Sequence, residues 1–452
     1  MTMTDRRQLL QAGAGLAATL ALPQVAGAAT AKRKPNIIVV LADDLGYGDV
    51  GAFGARMIKT PALDRMASEG VKLTSFFASA NVCTPSRAGL LTGRYPIRTG
   101  LANQVIQPND TNGLPQSEIT IPEALKPDYA TALIGKWHLG HVAPFWPPTV
   151  QGFDLFFGLP YSHDMKPLGL YTSGPGVELT QEDVDFHQLT HRFFERGLKF
   201  VEDNHDRPFF LMLALTAPHI PLDPHPDHAG HSKAADYGDV VEEIDANVGR
   251  LLKRLKDLGL DKDTLVIVTS DNGPWFEGSA GAARDRKGGA GWDGGYRVPF
   301  IARHPGVIPA GRTNNAQAMN IDLLPTLMQW AGLPLPGAQL DGKDITSLLT
   351  VKNAKAPHDE LILFNNELVA AVRTQDWKLI VRSYYRTSDV PLERLNSWLL
   401  VDLKQDPAEA YDVSALHPDV LKDMTARVER AKQTYEPLGL QRAAAAAAAA
   451  AK

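Results

Sequence analysis

Four short stretches of the chain are almost unbroken apolar runs: Asn36 to Leu41, Ala130 to Ile134, Pro208 to Leu215 and Thr264 to Thr269. A strand with one wet face alternates apolar and polar residues, whereas a strand covered on both faces has no reason to alternate. These runs therefore predict buried parallel strands. Between them, apolar residues recur near the helical period over Pro61 to Glu69, Asp183 to Asn204 and Tyr237 to Leu258, which predicts helices covering the sheet and an α/β fold. Beyond about Ile345 the pattern turns to alternation. Leu368 to Arg373 and Trp377 to Arg382, joined by Thr374-Gln375-Asp376, predict a hairpin. Trp398 to Leu403 predicts a further strand, Asp406-Pro407-Ala408-Glu409 a turn, and Pro418 to Lys432 a closing helix. The expected layout is a large domain over 33–345 and a small α+β subdomain over 346–440.

Each apolar run leads into a polar cluster: Ala42-Asp43-Asp44, Gly135-Lys136-Trp137-His138, Ala217-Pro218-His219 and Ser270-Asp271-Asn272-Gly273. In open α/β sheets, ligands bind beyond the carboxyl ends of the strands, where these clusters converge. Taken singly, each has an ordinary reading as a turn, a helix cap or a solvated loop. Their shared position after a strand points to one site. The hard oxygen donors of Asp43, Asp44, Asp271 and Asn272 suit calcium, or magnesium, better than zinc, which prefers nitrogen and sulfur. A divalent cation ringed by lysine and histidines is a site for an oxyanion.

The segment NVCTPSRAGLLTGRYP, Asn81 to Pro96, holds Cys83, the only cysteine. Pro85 suits a first helical position and Ser86 to Thr92 are good helix formers, which places Cys83 at a helix N-terminus that attracts negative charge. A single thiol cannot close a disulfide within its own chain. It is a buried bystander, an intermolecular link or a reactive group.

Composition narrows the partners. At 44% hydrophobic and 21% charged residues the chain can bury a large core, and a net charge of −5 with interspersed signs offers no basic face for nucleic acid and no polybasic membrane patch. Small-molecule partners remain. Arg6-Arg7 before the apolar run Leu9 to Leu22, followed by Ala26-Gly27-Ala28, predicts a cleaved export signal over 1–28 of twin-arginine type, hence a periplasmic or secreted protein. As a membrane anchor the run falls short of the ~20 residues a span needs and is diluted by Gly13 and Gly15, so no stable insertion is expected after cleavage. Residues 441–452, with the alanine run Ala443 to Ala451, read as a low-complexity tail. His225, His228 and His231 could form a second metal tract, but lack regular ligand spacing and read as a substrate loop.

Cys83-Thr84-Pro85-Ser86-Arg87 followed by Leu91-Thr92-Gly93-Arg94 resembles the signature of type I sulfatases, in which C-x-P-S-R directs oxidation of the cysteine to formylglycine. The resemblance runs from Lys34 to about Ala415 and takes in Leu41-Ala42-Asp43-Asp44, Gly135-Lys136-Trp137-His138-Leu139-Gly140, Ala217-Pro218-His219, Asp271-Asn272-Gly273, Lys287-Gly288 and Gly294-Gly295-Tyr296-Arg297-Val298-Pro299. Tyr161-Ser162-His163-Asp164 is similar to the branch containing arylsulfatase A and N-acetylgalactosamine-6-sulfatase. This resemblance implies an alkaline-phosphatase-like fold, a large mixed sheet sandwiched by helices beside a smaller antiparallel-sheet domain. It implies a sulfuric ester hydrolase matured by a formylglycine-generating enzyme, in which Asp43, Asp44, Asp271, Asn272 and the formylglycine from Cys83 hold calcium. It further implies that Arg87 stabilises the aldehyde hydrate, Asp271 accepts the attacking hydroxyl's proton, and Lys136 and Lys287 bind sulfate oxygens. His138 is expected to assist collapse of the hemiacetal, and His219 to bind substrate and protonate the leaving alcohol.

Trp292-Asp293-Gly294-Gly295 departs from the resemblance by placing aspartate where glutamate is usual, and Arg284-Asp285-Arg286-Lys287 crowds several charges around the second lysine. Related chemistry on the same oxidised cysteine leaves phosphonate monoester or phosphodiester hydrolysis, carbohydrate sulfate hydrolysis, and non-catalytic binding of sulfated glycans as alternatives. The loops Tyr161 to Gly176 and Tyr384 to Leu395 are expected to shape the pocket.

Overall fold

The computed structural model describes residues 33–385, 388–392 and 398–450. The expected export signal lies outside the described residues, as do 386–387 and 393–395 of the second pocket loop, 396–397 after it, and the last two residues of the tail. Among the described residues no helix is long and apolar enough to cross a membrane.

All four apolar runs are strands, and they are adjacent. Thr264–Ser270, Asn36–Ala42, Phe209–Ala214 and Ala130–Lys136 lie side by side and parallel, with Leu155–Leu159 as a fifth parallel neighbour. Phe300–Arg303 is antiparallel beside Thr264–Ser270, then Val71–Leu73 and Arg312–Asn314 complete one edge, while Leu170–Gly174 and Val177–Glu182 complete the other. The sheet of ten strands is therefore mixed, with a parallel centre.

The absence of alternation is explained by two separate cores. Ile37, Val39 and Leu41 pack with Ala88, Leu90 and Leu91 of the helix Cys83–Thr92 and with Leu323–Ala331 on one face. Ile38 and Val40 pack on the other face with Leu63 and Met66 of Pro61–Glu69, Phe193 and Phe194 of Leu189–Asp203, and Ile244 and Leu251 of Ala235–Asp257. The Leu189–Asp203 helix begins later than its sequence pattern suggests, because 183–185 have no regular structure and Phe186–Gln188 form a single tight 3-10 turn.

Leu361–Asn365, Leu368–Arg373, Trp377–Ile380 and Leu399–Asp402 form an antiparallel sheet of four strands, including the expected hairpin with Arg373 opposite Lys378. The final helix, Pro418–Ala450, packs Met424, Val428 and Ala431 into this sheet's core. It continues past Lys432 and through Pro437, and its last turns are alanine, the strongest helix former. The core of the small sheet also takes in Phe77, Tyr95, Trp292 and Tyr296 from earlier in the chain.

The register brings the strand ends level: Ala42 pairs with Ser270, Leu41 with Ala214, and Gly135 with Ala214. At Gly135 (φ +118°) a β-carbon would lie 1.8 Å from the Ala214 carbonyl oxygen, so only glycine lets this strand close on its neighbour immediately before Lys136. Gly135→Ala is expected to lower stability by about 2–3 kcal/mol from the disfavoured φ and the clash. Thermal unfolding with a melting temperature equal to wild type would show that the strand relaxes at no cost.

Candidate active site

Asp43 and Asp44 leave the carboxyl end of Asn36–Ala42, Asp271 and Asn272 leave Thr264–Ser270, Lys136 ends Ala130–Lys136, and His219 follows Phe209–Ala214 by a short loop. The Asp271 amide donates to the Ala42 carbonyl at 3.1 Å and the Asp43 amide to Ala217 at 3.0 Å, so the polar segments continue the sheet's own bonding. Cys83 opens the helix that packs under this rim, at the position its proline-containing sequence suggested. Ser86 holds the helix to the rim: its hydroxyl donates to the Asp271 carbonyl and accepts from Asn320 Nδ2 at 2.8 Å. The Cys83 thiol donates to Asp43 Oδ1 at 3.5 Å.

All ten expected site residues meet here. Lys136 Nζ donates to Asp43 Oδ2 at 2.6 Å, Arg87 Nε to Asp271 Oδ2 at 2.9 Å, and Lys287 Nζ to Asp44 Oδ2 at 2.8 Å. Arg87 Nη1 also donates to the Lys136 carbonyl at 3.0 Å, and His219 Nε2 lies 3.7 Å from Asp44 Oδ2. Asp43, Asp44, Asp271, Asn272, Cys83, Arg87, Lys136 and His138 are each at most 2% exposed. Each aspartate thus has its own cation, without which the buried charge would cost several kcal/mol per ion.

Burial would raise the Asp43 carboxyl, but Lys136 and Arg87 overcome it and hold Asp43 well below the usual carboxylate range. Burial and the negative Asp43 beside it push Asp271 up to about 6, despite Arg87. Burial lifts the Cys83 thiol to about 12 against the pull of Lys136 and Lys287. As an unmodified residue Cys83 is a neutral thiol and a poor nucleophile. Burial and Lys136 hold His138 well below its ordinary value, so its ring is neutral. Its Nε2 lies 3.0 Å from the Ile106 carbonyl and must carry the proton, which leaves Nδ1, buried and without a partner, as a proton acceptor.

The donor set fits a hard divalent cation. Asp43, Asp271 and the Cys83 sulfur have ligand atoms mutually within 4.8 Å, as do Asp44, Cys83 and His219. Asn272 Oδ1 is buried with no hydrogen-bond partner while its Nδ2 donates to Asp44 Oδ1 at 2.7 Å. An orphaned carbonyl oxygen on a residue bonded to this carboxylate cluster fits a cation ligand. His225, His228 and His231 belong to neither cluster; His225 stacks on His191 with ring centroids 5.2 Å apart, and its amide donates to Glu243.

Three further residues reach the site: Ser162 and His163, expected only as a branch motif in a pocket-shaping loop, and Asn320, which was not expected. Ser162 and His163 follow the strand Leu155–Leu159, whose carboxyl end joins the same rim. The His163 ring lies 5.7 Å from that of His219, its Nε2 is 3.0 Å from the Pro221 carbonyl, and Ser162 Oγ is buried without a partner. Recognising that strand would have brought both residues under the carboxyl-end rule. Asn320, which binds Ser86 and accepts from the Ser79 amide at 3.0 Å, carries no signal in its local sequence.

A mixed sheet with a parallel centre, a buried rim of carboxylates, lysines and histidines at its strand ends, and a smaller antiparallel sheet make up an alkaline-phosphatase-like fold, and the comparisons give the family. The sulfatase family model matches residues 35–333, and a model for the C-terminal part of N-sulphoglucosamine sulphohydrolase matches 291–434. The chain belongs to the sulfatase family and is a sulfuric ester hydrolase. It is 37% identical to human arylsulfatase A, over 90% of this chain and 89% of that protein, and 32% identical to canine N-acetylgalactosamine-6-sulfatase, over 91% and 88%. The structure of the PsFucS1 sulfatase from Pseudoalteromonas sp. superposes with a TM-score of 0.79 at 30% identity, covering 89% of this chain and 91% of that one.

Because Asp271 is raised to about 6, the cation-free site holds a proton there at lower pH that a divalent cation must displace. Affinity for a divalent cation is expected to rise about tenfold per pH unit up to about pH 6 and to level off above it. Calorimetric titration of chelator-treated protein at pH 5, 6 and 7 tests this; pH-independent affinity would mean that Asp271 is already ionised without metal.

Proposed function

We propose that the chain is an exported sulfatase acting on small aryl sulfates or terminal sulfated sugars, with a formylglycine made from Cys83 as its working group. The observation that carries the reading is the position of the lone Cys83 sulfur, buried at a helix start between Asp43, Asp271, Asp44 and His219, under the cations Lys136, Lys287 and Arg87. That sulfur stands where the oxygen of the aldehyde hydrate would sit. Maturation replaces it by oxygen at Cβ, an oxidation by a formylglycine-generating enzyme with molecular oxygen. Membership of the family and the sugar and aryl sulfatase names among its relatives support the substrate class. The export signal over 1–28, the domain division near 345 and periplasmic or secreted location are part of the same proposal.

A formylglycine hydrate at Cys83 would supply two hydroxyls on one carbon, one to attack sulfur in exchange for the alcohol and one whose deprotonation would release sulfate and return the aldehyde. A divalent cation, calcium by its hard oxygen donors, supplies Lewis acidity toward the sulfate oxygens and the hydrate. Asp43, Asp44, Asp271 and Asn272 hold it. Lys136 and Lys287 neutralise the sulfate oxygens as charge accumulates on them, and Arg87 orients the hydrate. Asp271 takes the proton of the attacking hydroxyl. Neutral His138 accepts the second hydroxyl's proton at its unpartnered Nδ1, and His219, whose Nδ1 faces the Ile220 carbonyl at 2.5 Å, gives the leaving alcohol a proton from Nε2.

His219→Ala is expected to reduce turnover about a hundredfold or more for alkyl and sugar sulfates and far less for activated aryl sulfates, whose phenols leave without a proton. Equal losses across leaving groups of widely different acidity would remove His219 from that role. Cys83→Ser keeps one hydroxyl at the site but lacks the second, so at most one turnover is expected, with the serine trapped as its sulfate ester. Intact-mass measurement of the variant after incubation with substrate reads this directly; sustained turnover would overturn the formylglycine mechanism. Parallel rates on matched sulfate and phosphate or phosphonate esters decide between sulfatase and phosphonate hydrolase action.

A further inference from the structure

Lys287 is the one sulfate-site cation that no strand or long helix carries. It lies in the irregular segment between Asp271 and Phe300, yet its Nζ sits 2.8 Å from Asp44 Oδ2. On its inner side the segment is held by the Lys287 amide donating to Pro274 at 2.9 Å, the Gly288 amide donating to Asn81 at 2.9 Å, and Asn81 Nδ2 donating to Gly289 at 3.2 Å. What holds its outer side comes from the C-terminal sheet.

Lys378 on the strand Trp377–Ile380 is fully buried, and its Nζ donates to Asp293 Oδ1 at 2.6 Å and to Glu409 Oε1 at 2.5 Å. The other Glu409 oxygen accepts from the Asp293 amide at 2.7 Å. The Glu409 carbonyl accepts from Arg284 Nη1 at 3.0 Å, and the Arg284 guanidinium lies over the Trp292 ring at 3.9 Å. Both ends of the 284–293 segment are therefore fastened to one residue, Glu409, and Glu409 is fastened by Lys378. The two arms also touch each other: the Gly294 amide donates to Arg284 at 2.8 Å, and a β-carbon on Gly294 would come within 2.1 Å of the Asp285 carbonyl oxygen. The Lys378 ammonium is spent on bridging two carboxylates that would otherwise repel each other in a buried space. Asp293, the aspartate that departs from the usual glutamate, has its carboxylate in this bridge, and Arg373 Nε lies 3.5 Å from its other oxygen.

We infer that Lys378, with Glu409 and Asp293, is a positioning residue for catalysis: the C-terminal sheet sets the place of Lys287 at the sulfate site through this buried charge bridge. The inference rests on the proposed assignment of Lys287 to the sulfate oxygens. Without the Lys378 charge, Glu409 and Asp293 separate, Arg284 loses its anchor, and Lys287 loses its fixed reach to the site. The rest of the rim, built on strand ends and on the helix Cys83–Thr92, stays in place.

The test is a double-variant comparison on fully matured protein with an activated aryl sulfate, measuring kcat/KM, inhibition by inorganic sulfate and calcium affinity. Lys378→Met is expected to lower kcat/KM and weaken sulfate inhibition by about ten- to a hundredfold, the cost of misplacing one group at a reacting centre, with calcium affinity unchanged. Lys378→Arg is expected to restore much of the loss. In a Lys287→Ala background the same substitution is expected to cost less than about twofold further, because the group it positions is gone. If Lys378→Met does not fold, Lys378→Met with Glu409→Gln, which leaves no doubled buried charge, is compared in the same two backgrounds. A full additional loss in the Lys287→Ala background, or wild-type kcat/KM in the folded variants, overturns the inference alone. Unchanged kcat/KM and sulfate inhibition in Lys287→Ala itself overturns the sulfate-site assignment, and the inference falls with it.

Discussion

Asp43, Asp44 and Asp271 are buried within a few ångströms of one another, and no fold tolerates that without opposite charge close by. Everything else at the rim answers this constraint. Lys136 serves Asp43, Lys287 serves Asp44 and Arg87 serves Asp271, each through a direct hydrogen bond. The residual demand is visible in two places: Asp271 stays raised toward neutrality by burial and by Asp43, and Asn272 Oδ1 has no donor. Carboxylates and ammonium groups so arranged are the two halves that the proposed sulfate ester chemistry calls on.

The scaffold meets the constraint with rigid elements. Parallel register delivers the strand ends at one level, and a fully buried helix start puts Cys83 and Arg87 beneath them. Asp44 (φ 65°) and His138 (φ 60°) take left-handed backbone conformations that cost about 1–3 kcal/mol each for residues other than glycine. Such strain persists only where surrounding contacts fix it. Here these include the Asp44 amide bonded to Asp271 Oδ1 at 3.2 Å and the His138 carbonyl accepting from Thr84 at 3.0 Å.

The small antiparallel sheet is tied into this arrangement. Its core runs into Trp292 and Tyr296, the Tyr296 hydroxyl donates to the Phe364 carbonyl at 2.7 Å, and Trp292 Nε1 donates to Ser383 at 2.8 Å. The glycines between these aromatics let the backbone pass within contact of Asp285 and Arg286, which a side chain would forbid. A buried cation on irregular backbone, as Lys287 is, needs such outside support, because no ladder of hydrogen bonds fixes its height.

Much of the site was legible in the chain because its signals are local. An unbroken apolar run followed at once by acid, lysine or histidine marks a buried strand and its carboxyl end, and the cysteine motif declares its helix. The sequence by itself therefore determined the parallel centre of the sheet, the identity of the rim residues, the C-terminal hairpin and the family. It did not place the antiparallel edges of the expected mixed sheet, the strand Leu155–Leu159 that brings Ser162 and His163 to the rim, or the later start of the Leu189–Asp203 helix. Which cation faces which carboxylate, and the bridge from Lys378 to Asp293 and Glu409, were decided only in three dimensions. Those contacts join residues far apart in the chain, and buried electrostatic pairing depends on distance and desolvation, which no local pattern of residues encodes.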